Sequence, residues 1–532
     1  MLKKNLIKPV RIAAAAALLA AVLSGCGSTR TPEAAAEKII NASYVGSTIE
    51  YLSSDSLKGR STPSKELDSA AAYIQRQFES FGLQPVNGSY FQPLSLTVVE
   101  LGADNHLVIK DKNDNSQKSF NIKFDFTPFE MTAGRSVGGD IVFAGYGITA
   151  PEYGYDDYAG LDVTGKTVIV LKHEPGENDT ASVFAGTKPS IHSEISEKVS
   201  NAIEHKAAAI IIVTDPLNHT SLSPQGFPWP SLSKFIPKSA LPVMIDSPDS
   251  MKIPVVQAGE EVVKGLFGSV EALRNIQASI DKNVKPASFI IAGKKIDLKT
   301  DLRVARSEIK ENPAKNVVGF LEGSDPKLKN ELLVIGAHYD HVGYKKSHQP
   351  DQDYIFNGAD DNASGTSGMI AIAKTFVSME KRPARSILFI AFAGEELGLF
   401  GSQWYVNHPL FPLSNTVAML NLDMIGRNSK DELFLVGANA EPELTAIAMK
   451  ENEKTGFKIK FEDDFSGRSD QANFQKKGVP ALFFFTGTHA DYHKVSDEFS
   501  LIDKDKTAEV TRLAFFTAYR IANENMHYKN NK

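Results

Sequence analysis

The chain has 532 residues, 42% hydrophobic and 23% charged, with a formal net charge of −6. That is the composition of a soluble globular protein, and the length is too great for one ordinary domain, so two are expected. A mildly acidic chain without a basic stripe excludes nucleic acid as an expected partner.

Lys3, Lys4, Lys8 and Arg11 precede an apolar stretch, Ile12 to Leu23, that is too short for a spanning helix and has the layout of a secretory signal. It closes with Leu23-Ser24-Gly25-Cys26, which resembles the bacterial lipobox. The resemblance implies removal of residues 1–25, a lipid on Cys26, and anchoring to the extracytoplasmic face of a bacterial membrane. No second apolar run is long enough to span a bilayer, so the anchor would be lipid alone. Loss of the four cations takes the formal charge from −6 to −10. Cys26 is the only cysteine, so no intramolecular disulfide is available and stability must come from burial. Thr29 to Pro32 reads as a small polar tether. Leu67 to Phe81 carries apolar residues at helical spacing and stops at Gly82, a natural helix end. Strand-like runs follow from Leu107-Val108-Ile109 to Phe124. From about Arg135 the pattern changes: Ile141-Val142-Phe143, Thr167-Val168-Ile169-Val170 and Ala209-Ile210-Ile211-Ile212-Val213 alternate with turns and one helix, Glu194 to His205. Asn218 to Pro237, rich in Ser, Pro and aromatics, reads as an irregular surface loop, and Gly259 to Lys282 as helical. From Asn316 onwards strands and helices alternate, as in a βαβ sheet.

Four of these later stretches lead from an apolar run to a side chain able to bind metal. Leu332-Leu333-Val334-Ile335 leads to His338, Ile387-Leu388-Phe389-Ile390 to Glu395 and Glu396, Ala418-Met419-Leu420 to Asp423, and Leu482-Phe483-Phe484-Phe485 to His493. Short, fully apolar runs bounded by turn residues read as central parallel strands buried on both faces. Ligands gather beyond the carboxyl ends of such strands. Asp361 adds a further carboxylate from the loop Asn357-Gly358-Ala359-Asp360-Asp361-Asn362. Two imidazoles and three carboxylates make a nitrogen/oxygen set suited to zinc, and five ligands can serve two metals if one carboxylate bridges. On an extended backbone Asp340 projects to the same side as His338 and can orient its imidazole, whereas His341 points the other way and reads as a bystander. Taken alone, Asp360 to Ser364 and Glu395-Glu396 also suit helix starts. Neighbouring carboxylates at a strand end can nevertheless divide the labour, one on a metal and one moving protons. Asp423, directly after an apolar strand, calls for a partner, and a metal is the simplest one.

Rival machineries are poorly represented. No H-E-x-x-H helix exists, and His173-Glu174-Pro175 has proline where a helix must continue. No G-x-S-x-G elbow is present. The ordered motifs His338-x-Asp340, Gly358-Ala359-Asp360-Asp361-Asn362-x-Ser364-Gly365, Gly394-Glu395-Glu396-Leu397-Gly398, Asn421-x-Asp423-Met424-Ile425-Gly426 and Asp491-Tyr492-His493-x-x-x-Asp497 resemble those of the co-catalytic zinc aminopeptidases. That family also holds glutamate carboxypeptidases, transferrin receptors and glutaminyl cyclases. The resemblance covers roughly residues 50–130 and 316–522. It implies a three-layer αβα peptidase domain with a mostly parallel mixed sheet, built from residues 26–134 and 288–532. A smaller α/β segment, 135–287, resembles the protease-associated domain and would interrupt it. Two zinc ions are implied, one held by His338 and Asp423, the other by Glu396 and His493, with Asp361 bridging in preference to Asp360 and followed by a cis peptide. Glu395 matches the general base. Tyr492 resembles a tyrosine that in some members stabilises the tetrahedral intermediate, and Arg468 is a second candidate for that role. Gln471 stands where the family usually has histidine after Ser469-Asp470.

The resemblance thus implies hydrolysis of N-terminal residues from peptide substrates by a zinc-activated water. Two alternatives stay open. A carboxypeptidase with the same metals would need a cationic pocket, for which Arg427 or Arg468 is available. A non-catalytic binding protein is disfavoured because all five ligands and the base are present. The inserted segment shows no histidine or acid cluster matching a site motif, so it is expected to gate or position substrate without doing chemistry. Oligomeric state and side-chain preference leave no mark in the sequence.

Overall fold

The computed structural model describes residues 31–129, 132–184, 186, 190–224, 240–244, 253–305, 314–345, 348–462 and 465–525. The signal and Cys26 lie outside them, as does part of the Asn218–Pro237 loop. All four apolar runs of the later chain are strands, Leu332–His338, Ser386–Phe392, Thr416–Leu422 and Ala481–Phe485, with every residue buried. Ser386–Phe392 lies beside Leu332–His338, then come Thr416–Leu422 and Ala481–Phe485, all parallel, so their carboxyl ends share one edge. Antiparallel strands flank this block. Lys315–Leu321 and then Phe91–Pro93 close one side, and Glu432–Val436 followed by Lys458–Glu462 closes the other.

Alternation along the strands explains their uniform apolarity. Leu333, Ile335 and Ala337 pack in one core with Ile49, Ile74, Ile370 and Leu513 of the helices Ala42–Leu52, Lys65–Phe81, Gly365–Ser378 and Lys504–Asn523. Val334, Leu388 and Met419 point to the opposite core with Tyr405 and Phe474, from the helices Phe400–Asn407 and Gln471–Lys476. A sheet covered on both faces has no position for a polar side chain until the strand ends. This is a three-layer αβα arrangement with a mixed sheet. Local signals set the helix limits as expected: Ser64 accepts from the Leu67 N–H at the start of Lys65–Phe81, and Gly82, at φ 87°, ends it in the left-handed region.

A second eight-stranded sheet has its own cores. Its centre is parallel, Ser136–Ala144, Thr167–Leu171, Ala209–Val213 and Val255–Ala258, with the helix Ile195–Glu204 between the second and third of these in sequence. Strands from both sides of 135–287 join it: His106–Asp111, Gln117–Phe120, Phe126–Pro128 and Ser288–Lys299. The stretch expected as one helix after Gly259 is two, Glu260–Phe267 and Val270–Asn283, because Ser269 caps a new start at the Ala272 N–H.

Candidate active site

The carboxyl edge of the four parallel strands collects the expected side chains. His338 is the last residue of its strand, and Asp423 is the first after Thr416–Leu422. Glu395 and Glu396 sit in the turn between Ser386–Phe392 and the helix Phe400–Asn407, while His493 comes from the loop after Ala481–Phe485. Asp361 lies just ahead of the helix Gly365–Ser378, and its peptide bond to Asn362 is cis.

These side chains form two groups that share one carboxylate. His338 Nε2 lies 3.3 Å from Asp361 Oδ1 and 3.3 Å from Asp423 Oδ1. His493 Nε2 lies 3.2 Å from Asp361 Oδ2 and 2.9 Å from Glu396 Oε2. Asp361 therefore turns a different oxygen to each pair. His338 Nδ1 is 3.2 Å from the Asp340 carbonyl oxygen, a contact that orients the ring with Nε2 facing the two carboxylates. Tetrahedral zinc with bonds near 2.0–2.1 Å sets its ligand atoms about 3.3 Å apart, so the donor spacing and donor types both fit that ion.

A set of polar contacts fixes each member. The Asp340 carboxylate is 3.7 Å from His338 Nδ1, farther than the same residue's carbonyl; it accepts instead from the Glu395 N–H at 3.2 Å and from Thr62 Oγ1 at 2.9 Å. Asp340 thus orients His338 through its main chain and Glu395 through its side chain. Asp497 accepts from the N–H groups of Asp360 and Asp361, both at 3.1 Å. Asp360 faces away and accepts from the Gly426 N–H at 2.7 Å. Ser469 Oγ donates to Asp423 Oδ2 at 2.7 Å, and Gln471 accepts from Asn421 in the same buried network.

Residues 316–518 match the model of peptidase family M28. This part of the chain is similar to that family. The chain is 30% identical over 207 residues to a probable leucine aminopeptidase of Trichophyton verrucosum, an alignment covering 37% of this chain and 56% of that protein. It is 28% identical over 220 residues to aminopeptidase YwaD of Bacillus subtilis, covering 39% of this chain and 44% of that protein. The matches thus span about half the length of these curated relatives. Over 93% of the chain the fold is similar to that of an aminopeptidase from Aneurinibacillus sp. strain AM-1, with 21% identity, 97% of that chain covered and a TM-score of 0.53.

Electrostatics in the M28 segment follow from burial of four carboxylates around three imidazoles. Burial pushes Glu395 well above the usual carboxyl range, with the charges of Glu396, Asp423 and Asp470 adding to it against His338. Burial acts the same way on Asp361, but hydrogen bonds from His338 and His493 outweigh it and hold this carboxylate well below its ordinary value. For His338 burial favours the neutral ring, yet Asp423 and Glu395 raise it well above the ordinary value. The site demands positive charge.

Two residues were not anticipated from the sequence. His341, read as a bystander, is fully buried, with Nδ1 2.7 Å from Glu396 Oε1 and 3.8 Å from Asp361 Oδ2. The strand stops at His338, so alternation no longer decides where His341 points. Arg60, also buried, donates to the carbonyls of Leu52, Tyr339, Asn357 and Gly358, tying the loop that carries Asp361 to the end of the His338 strand. The cleft beside the two groups is lined by Asp361, Glu395 and Asp423, by Tyr492 and Arg468, and by an apolar wall that includes Met424, Phe465 and Phe483. Tyr492 stacks on His493 at 4.0 Å, and Arg468 lies over the Phe465 ring at 4.8 Å. Arg427 is engaged elsewhere, 2.6 Å from Asp491.

Proposed function

We propose that this chain is a two-zinc aminopeptidase acting on peptides whose first side chain is apolar. His338 and Asp423 would hold one ion, Glu396 and His493 the other, with Asp361 spanning both. The observation that carries the reading is Asp361 itself, whose Oδ1 and Oδ2 face His338 at 3.3 Å and His493 at 3.2 Å. Zinc bound there would supply Lewis acidity and bring the pKa of a water near neutrality.

The remaining steps belong to side chains. Glu395 lines the cleft with its main chain held by Asp340, and takes the proton from the attacking water before returning it to the leaving amine. Tyr492, on the same cleft wall, donates to the oxyanion that forms at the scissile carbonyl. Met424, Phe465, Phe483 and Phe485 form the wall against which an apolar side chain would be desolvated. Similarity to proteins named leucine aminopeptidase supports that preference. The carboxypeptidase alternative is weakened because Arg427 is paired with Asp491, which leaves Arg468 to receive a terminal carboxylate.

Metal content measured beside hydrolysis of leucine p-nitroanilide and of an N-acetylated peptide tests this reading. Two equivalents of zinc at this centre, turnover of the free-amine substrate and none of the blocked one are expected. Trimming of a blocked peptide from its carboxyl end would replace the aminopeptidase with the carboxypeptidase.

A further inference from the structure

We propose that His173, Glu177, Asp215 and His219 form a separate metal site in the second sheet, suited to zinc or a similar first-row ion and acting as a structural clip. The residues come as two i, i+4 pairs, His173 with Glu177 and Asp215 with His219. Each pair comes directly after a fully buried strand, Thr167–Leu171 or Ala209–Val213, and these strands are parallel neighbours. The pairs therefore meet just beyond two adjacent carboxyl ends, as ligands do in open α/β sheets.

Four donor atoms, one from each residue, lie within 4.8 Å of one another. His173 Nδ1 is 2.5 Å from Asp215 Oδ1 and 3.5 Å from Glu177 Oε2; His219 Nε2 is 2.8 Å from Glu177 Oε1 and 3.4 Å from Asp215 Oδ2. These spacings scatter about the roughly 3.3 Å separation of ligand atoms around tetrahedral zinc. The two imidazoles stack at 4.2 Å. A second observation points to a ligand. Asp215 is 0% exposed, yet its Oδ2 has no hydrogen-bond partner, and the same holds for the buried atoms Glu177 Oε1 and His219 Nε2. Close atoms that make no hydrogen bond to each other are what a shared cation would satisfy. Two imidazoles with two carboxylates select a first-row ion such as zinc over calcium or magnesium. Four protein ligands close the coordination sphere, which marks a structural site.

The fold also says what would be clipped. The Asp215 loop is fastened to the helix Val270–Asn283, since Gln277 accepts from the Leu217 N–H at 2.7 Å and Arg274 donates to the Pro216 carbonyl at 3.2 Å. Lys198, on Ile195–Glu204, donates to the His173 carbonyl at 2.6 Å. A metal at this point would join the loops after two strands to the helices packed on them. The segment shows no site motif in sequence because the two pairs are far apart and neither matches a known motif alone; only the fold brings them together.

The test counts metal on the full-length protein, stripped with chelator, reloaded with zinc and desalted. His219→Gln and the double variant His173→Ala/His219→Ala are expected to carry one equivalent fewer than wild type, with leucine p-nitroanilide turnover within about twofold. A second measurement uses His338→Ala/His493→Ala, which leaves this cluster intact and should still retain one equivalent. Equal counts in wild type and the His219 variants, or no retained metal in the second experiment, would mean that the cluster is only a set of ion pairs. Because the first comparison is a difference between proteins sharing the same M28 centre, its outcome does not depend on how many ions that centre holds.

Discussion

Glu395 and Glu396 are neighbours in the chain with different surroundings. Glu396 sets its oxygens 2.7 Å from His341 and 2.9 Å from His493, whereas Glu395 Oε2 approaches His338 no closer than 3.9 Å. Glu395→Gln keeps the shape and removes the proton acceptor, so metal content should stay at the wild-type level while kcat falls by roughly 10²–10⁴-fold. Glu396→Gln offers a poorer ligand and should lower metal content, with added zinc restoring part of the activity. Metal analysis beside steady-state kinetics separates the two, and exchanged phenotypes would reverse the assignment. Arg60 poses a different question at the same scale. Its guanidinium meets four main-chain carbonyls in a fully buried setting, a pattern that lysine cannot reproduce with three donors at one point. Arg60→Lys should therefore cost roughly 3 kcal/mol of stability, read as a lower urea midpoint.

The helix Gly365–Ser378 connects packing to the site, because it begins four residues after Asp361 and crosses close to the end of the strand before Asp423. A Cβ at Gly365 would lie 2.2 Å from the Leu422 carbonyl oxygen and 2.4 Å from Asn362 Oδ1. Asn362 Oδ1 is itself the acceptor for the Gly365 and Met424 N–H groups. Gly365→Ala must push the helix away from the strand end or break those bonds. A loss of about 1–3 kcal/mol is expected, together with weaker zinc retention, since Asp361 and Asp423 would separate. Calorimetry and metal counts on the variant test it; a wild-type melting temperature would show that the contact relaxes freely.

For the whole molecule, the question is how the peptidase fold is held in place and interrupted. Among the described residues no helix is long and apolar enough to cross a membrane. We propose that a lipid on Cys26 supplies the anchor. Cys26→Ser should then leave an uncleaved signal or release the protein from the membrane fraction; mature wild-type protein without lipid and cut away from Cys26 would contradict it. The inserted segment, for which the protease-associated domain remains our proposal, cannot be trimmed at 135 and 287 without cutting a sheet. His106–Asp111 and Ser288–Lys299 are hydrogen-bonded to each other, and Ser288–Lys299 continues the ladder into Ser136–Ala144.

Much of the M28 centre was legible because uniformly apolar runs such as Leu332–Ile335 and Leu482–Phe485 suit strands buried on both faces, and such strands deliver their next polar residues to one edge. That logic located His338, Glu395, Glu396, Asp423 and His493 from the chain alone, and a matching helix limit at Gly82 came from backbone freedom. Which side chains meet across that edge is a different kind of information. His341 joins Glu396 because the strand ends three residues earlier, and Arg60 reaches residues nearly 300 positions away through a turn with no periodic pattern. His173 and His219 stack only because two parallel strands lie side by side. Local sequence determines burial and therefore the elements and their ends. The directions taken by loops beyond those ends depend on long-range packing, and only the tertiary structure decides them.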